Sequence, residues 1–232
     1  MTLLTICQSV ARTSKVAVPA TIIGNVGLEA TRLLEAIRET TQDLLKRIDW
    51  EELQGEATIT TAASTQGYSL PSDYERITDT TAWNVSRRRE MVGVMSPSEW
   101  QDLQNRTASG SSLTDRYRIR GGQFLVYPIP SSVESLIYEY IQNTPIESSA
   151  AAAQKDWEAD ADVPRIDAYL VELGTKWRFR KVNGMPYQED LNQYNEIALQ
   201  LKGNDGGRRR IVPRSNRLHG VDVAYPENVV AP

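Results

Sequence analysis

The spacing of apolar residues changes twice along this chain, and the order of those changes limits the fold more than any single residue does. From Glu29 to Trp50 the positions Ala30, Leu33, Leu34, Ile37, Leu44, Leu45 and Ile48 recur at three- and four-residue steps among charged residues, which predicts an amphipathic helix. Turn-prone Gly24, Asn25 and Gly27 precede it, and a shorter helix is expected over Thr2 to Arg12 with Leu3, Ile6 and Val10 inward. Between about residues 56 and 145 the sequence turns to threonine, valine, isoleucine and aromatics with turn signals between runs, which predicts an antiparallel β region of about five to six strands. Within it Gly121 and Gly122 mark a hairpin. Ser96, Pro97 and Glu99 mark the start of a short helix reaching Asn105.

Helical spacing then returns. Pro164 is read as the start of a helix with Ile166, Tyr169, Leu170, Leu173 and Trp177 on one face, and Pro186 as the start of another carrying Tyr187, Leu191, Tyr194, Ala198 and Leu201. The tight connection Asn183, Gly184, Met185 makes this pair an antiparallel hairpin. The expected fold is therefore α+β: a four-helix bundle core made of residues 1–54 and 160–202, an inserted antiparallel β domain with its connecting linker over 55–159, and an extended C-terminal arm over 203–232. Leu34, Ile37, Leu44, Leu173, Trp177 and Leu191 are expected to be buried together. Core packing is the default for Trp50, Trp83 and Trp177. The stretch IESSAAAAQKDWEADADVP (146–164) reads as a solvated acidic linker, and Trp157 within it is either tucked under the loop or presented to a partner.

Composition narrows the function. A hydrophobic content of 40% suffices for a buried core, no run approaches the roughly 20 apolar residues of a membrane span, and MTLLTICQSVARTSK lacks the basic region and cleavage site of a secretory signal. The single cysteine, Cys7, excludes an internal disulfide framework, and its apolar neighbours assign it to packing. A net charge of −4 argues against a surface built wholly for nucleic acid, so basic function must be local. Two clusters qualify: Arg87, Arg88 and Arg89, assigned to a subunit- or DNA-facing surface, and the arginines of the arm.

Chemistry is poorly represented. The lone histidine, His219, lies in the arm, and no nucleophile elbow, HExxH site, Walker loop or Rossmann fingerprint is present. Asp156, Glu158, Asp160 and Asp162 lack the spacing and fixed glycine of a calcium-binding loop. The expectation is a protein with no catalytic, cofactor or metal site. A small hydrolase or nucleic-acid-processing enzyme with carboxylates distant in sequence remains the alternative class.

The arm itself has no pattern that folds alone. Gly203, Gly206 and Gly207 end the last helix, Pro213, Pro226 and Pro232 prevent another, and five arginines lie between 208 and 217 with no acid among them. Arg208, Arg209, Arg210, Arg214 and Arg217 are assigned to acidic or carbonyl groups of a partner, and Val221, Val223 and Tyr225 to apolar grooves. The arm is expected to order only on binding, and extended it could span about 95 Å.

Several short motifs in order carry a resemblance: TLLTICQSVA at the start, VPATIIGN, the Asp49–Trp50 pair, YSLPSDYER from 68 to 76, Trp83, and SPSEWQDL. Over roughly residues 1 to 200 the chain resembles the head-to-tail adaptors, or connectors, of tailed bacteriophages. The resemblance implies a non-enzymatic virion protein, made in the bacterial host cytoplasm, at the head–tail junction. There it would form a homo-oligomeric ring, commonly of about twelve copies, beneath the portal protein. Its partners would be the portal, a tail or nozzle protein and the genomic DNA, which passes through the channel without sequence-specific binding until ejection; no membrane is involved. A tail-tube or tail-completion protein shares this chemistry and differs only in position along the particle.

Overall fold

The computed structural model describes residues 1–105 and 114–205, with side chains as far as Lys202 in the last helix. Five α-helices lie among them: α1 (Leu3–Thr13), α2 (Leu28–Arg47), α3 (Pro97–Asn105), α4 (Ala168–Val182) and α5 (Gln188–Asp205). The fold is α+β with antiparallel sheets. Leu3, Ile6, Cys7, Val10 and Ala11 form the buried stripe of α1. Helix α2 stops at Arg47, earlier than its apolar spacing suggests, because Ile48 adopts extended backbone. Trp50 then folds back and donates its indole N–H to the Leu44 carbonyl at 3.1 Å.

Helix α4 packs against α1, α2 and α5. Gly174 permits the approach: a Cβ there would meet Thr40 of α2 and lie 2.9 Å from the Tyr194 ring of α5. Ile37, Leu44 and Leu173 are buried in this helical core, whereas Leu34, Trp177 and Leu191 are partly buried against it. Pro164 does not begin α4. It pairs in a short strand, and Asp167 caps the helix by accepting the Leu170 N–H at 2.6 Å, since a carboxylate satisfies a first-turn donor that a proline cannot. Glycine at 203 does not end α5, which continues to Asp205.

The strands are β1 (Gln54–Thr60), β2 (Gly67–Ser69), β3 (Tyr74–Ile77), β4 (Trp83–Asn84), β5 (Arg89–Glu90), β6 (Arg116–Arg120), β7 (Gln123–Tyr127), β8 (Ser135–Gln142), β9 (Ile146–Glu147), β10 (Ala153–Gln154) and β11 (Val163–Pro164). Among the described residues eight of these precede residue 145, more than the five or six expected, because the run from 67 to 90 breaks into four short strands. One sheet has the order β1-β8-β4-β5 with β3 also on β8, a second β2-β7-β6, and a third β10-β9-β11. Gly121 and Gly122, at φ 59° and 72°, make the β6–β7 turn, a left-handed pair that suits glycine. Tyr117, Phe124 and Tyr138 stack at 4.9 and 5.0 Å between ring centres in a second, aromatic core. Strand β8 belongs to both cores: Tyr140 enters the aromatic one and Ile141 the helical one.

The acidic stretch is not a solvated linker. The carboxylate of Asp160 accepts the backbone N–H groups of Ile22 and Ile23, that of Asp162 accepts those of Glu158 and Ala159, and their carbonyls accept the Leu4 and Leu3 N–H groups at 3.1 and 2.8 Å. These acids satisfy first-turn donors of α1 and of the loop behind it. Trp157 is buried and donates to the Thr41 hydroxyl of α2 at 3.2 Å, so it is tucked under its loop.

Candidate functional site

The motif residues singled out in the sequence meet at the joint between the two cores. From β3, Arg76 reaches the C-terminus of α2, where its guanidinium donates to the carbonyls of Leu45 and Ile48, each at 2.7 Å, and to the Asp49 carboxylate at 2.6 Å. A cation at a helix C-terminus meets unpaired carbonyls and the negative end of the dipole. Asp73, three residues earlier, accepts the Tyr140 hydroxyl at 3.0 Å and the Gln142 amide at 2.9 Å, which fixes the chain onto β8. Arg165 completes the joint from the other side, donating to the Glu52 carbonyl at 2.7 Å and to Gln142 and Thr144. Asp49, Trp50, Asp73 and Arg76 therefore set the angle between helices and sheet. Their role is geometric.

The arginine cluster divides. Arg87 turns inward, donating to Asp115 at 2.9 Å and Glu134 at 2.5 Å, while Asn84 bridges the same two acids at 2.9 and 2.7 Å and accepts the Arg87 backbone N–H. Both acids are nearly fully buried. Burial pushes the Glu134 carboxyl up, but hydrogen bonds from Asn84 and Arg87 outweigh it and hold its pKa below the ordinary value. Burial likewise opposes the charge of Arg87, and the two acids more than offset it, so the guanidinium pKa is raised. Arg88, at φ 53°, is exposed in the turn and Arg89 lies half-buried in β5. The three arginines do not form one patch.

Behind that turn lies a groove of about 600 Å³ on the outer face of the five-stranded sheet, lined by Trp83, Val85, Ile137, Glu56 and Glu139, with Thr80, Thr81 and Arg88 at its border. Trp83 was expected in a core and is 47% exposed, because in β4 it is Asn84 that points inward to the buried acids while its neighbour faces out. Register places Ile137 opposite both Thr58 and Trp83, and Glu56 opposite Glu139. Period-2 alternation alone could not say which face of β4 was the inner one.

Cys7 is buried, and desolvation, aided by Asp160, pushes its thiol up to about 12. Among the described residues no group of three or more His, Cys, Asp or Glu side chains is placed to hold a metal ion, and no helix is long and apolar enough to cross a membrane. Arg208, Arg209, Arg210, Arg214, Arg217, Val221, Val223 and Tyr225 lie outside the described residues, as does His219.

Comparison with known proteins gives one family: the family model described as SU10 adaptor protein matches residues 1–217. No curated protein matches the chain.

Proposed function

The chain belongs to the SU10 adaptor protein family, phage head-to-tail adaptors that are structural proteins and not enzymes, and from that premise we propose that it forms a closed ring of about twelve copies under the portal. The ring extends the DNA channel toward a tail or nozzle protein at the head–tail junction, and the genome passes through it without base-specific contact. Family membership over 217 residues carries this reading and removes the hydrolase alternative.

The two-core architecture supports it. In this reading the four long helices act as a bundle that packs side to side with its neighbours, the joint at Arg76 holds the β region at a fixed angle, and the arm reaches the portal or the next subunit. Arg208, Arg209, Arg210, Arg214 and Arg217 pair there with acids or carbonyls, and Val221, Val223 and Tyr225 fill apolar grooves. Arg88 and Arg89 face a subunit or the DNA, with Arg87 supporting their turn from within. Each contact is weak, and a ring of arms acts together through high effective concentration.

Truncation after Asp205 is the test. The isolated protein should melt at nearly the temperature of the full chain, whereas filled heads should no longer take it up. Uptake at normal yield would contradict the role given to the arm.

A further inference from the structure

Glu56 and Glu139 face each other directly across the β1–β8 pair, and neither carboxylate has a hydrogen-bond or ion-pair partner among the described residues. Like charges in direct cross-strand register are destabilising, and a cation brought between them would relieve the repulsion. It lies beside Trp83 and Val85, 47% and 46% exposed, with Ile137 between them and only the Arg88 guanidinium in opposition. Trp83, Val85 and Ile137 thus give this face a small apolar strip flanked by charge, which can seat a few apolar side chains of a chain laid across it. Thr80, a β-branched residue at φ 64°, and Arg88, at φ 53°, both border the groove in left-handed backbone, and such strain gathers at functional sites.

The sequence holds a segment of matching chemistry. Five arginines between 208 and 217 are followed by VDVAY, whose Val221, Val223 and Tyr225 fall on one side of an extended chain at a spacing of about 6.6 Å. Its origin is also suitable. In α5, Gln193 bonds Tyr169 at the start of α4, and the helix continues to Asp205, so the chain leaves the described fold at the end where the sheets begin. From there to Tyr225 it can span about 65 Å.

We propose that this groove on each copy receives the C-terminal segment of a neighbouring copy, with Val221, Val223 and Tyr225 over Trp83, Val85 and Ile137 and the arginines against Glu56 and Glu139. The inference rests on the ring reading above and names the acceptor surface that reading leaves open.

Paired cysteines test it in purified phage particles carrying the full chain. Mass spectrometry first establishes that the protein is in the particle; its absence would overturn the adaptor reading itself. Thr58→Cys with Val223→Cys should, on mild oxidation, link copies into a ladder on a non-reducing gel, against the background of a Cys7 thiol that is buried. Val26→Cys with Val223→Cys should give no ladder, since Val26 is exposed just before α2, at the opposite end of that helix from the one that leads into β1. Adding Glu56→Lys and Glu139→Lys should cut the linked fraction about tenfold, and Glu56→Gln with Glu139→Gln tests the same point if the lysine variant does not fold. A chain present in particles that links to no other copy, or only within itself, would overturn the groove assignment and leave the adaptor role standing.

Discussion

Arg76 closes the end of α2 from a different element: its guanidinium lies 2.6 Å from the Asp49 carboxylate and 2.7 Å from the carbonyls of Leu45 and Ile48. A three-donor fork of this kind needs a planar, delocalised cation. The pair therefore couples the helical core to the sheet through orientation as much as through energy.

Arg76→Lys should lower stability by about 1 to 3 kcal/mol, because one ammonium cannot reach all three acceptors. Denaturant unfolding checks this, and an unchanged midpoint would show that the joint is held elsewhere.

Gly174→Ala should destabilise by about 1 to 3 kcal/mol, since the added methyl enters space held by Thr40 and Tyr194. A thermal melt reads the effect. An unchanged melting temperature would mean that α2, α4 and α5 can separate freely, contrary to the close packing described.

The buried network makes an acid-side prediction. Glu134 has a folded pKa below the ordinary 4.5 of a glutamate, so its contribution is present above about that pH and is lost as pH falls through the folded value. Arg87→Ala should cost about 2 to 3 kcal/mol at pH 7, less than a fully buried pair because Arg87 is partly exposed, and should flatten the loss of stability below pH 4.5. Urea titrations between pH 3 and 7 would show this. An acid slope unchanged by the substitution would place its source outside the network.

The Cys7 thiol, pushed up to about 12 by burial, should resist a thiol reagent at pH 8 in the folded protein and react once per chain after denaturation. Rapid reaction of the native protein would contradict the packing of α1.

The local parts of the fold were legible before the structure, and the reason is physical. The capping box closes over three residues, with Ser96 and Glu99 bonding reciprocally at 3.3 and 2.9 Å, and the Gly121–Gly122 turn needs only its own backbone. The amphipathic stripes of α1 and α2 follow from burial on one face. What escaped was long-range pairing. Asp115 and Glu134 lie 28 and 47 residues from Arg87, and nothing near the triple arginine signals that its first member turns inward. The acids at 160 and 162 look solvated until the backbone donors of α1 and the 22–23 loop arrive from more than a hundred residues away. Trp83 faces outward because the buried acids claim Asn84, a choice that alternation within a two-residue strand cannot express.

Whether this chain is the ring joining head to tail can be seen by electron cryomicroscopy of the purified protein mixed with its portal. A closed ring should sit on one face of the portal, with the helical core and the sheets of each copy fitting the density and the channel continuous through both rings. Portals that remain bare at equimolar or higher concentrations of the full-length protein would contradict it.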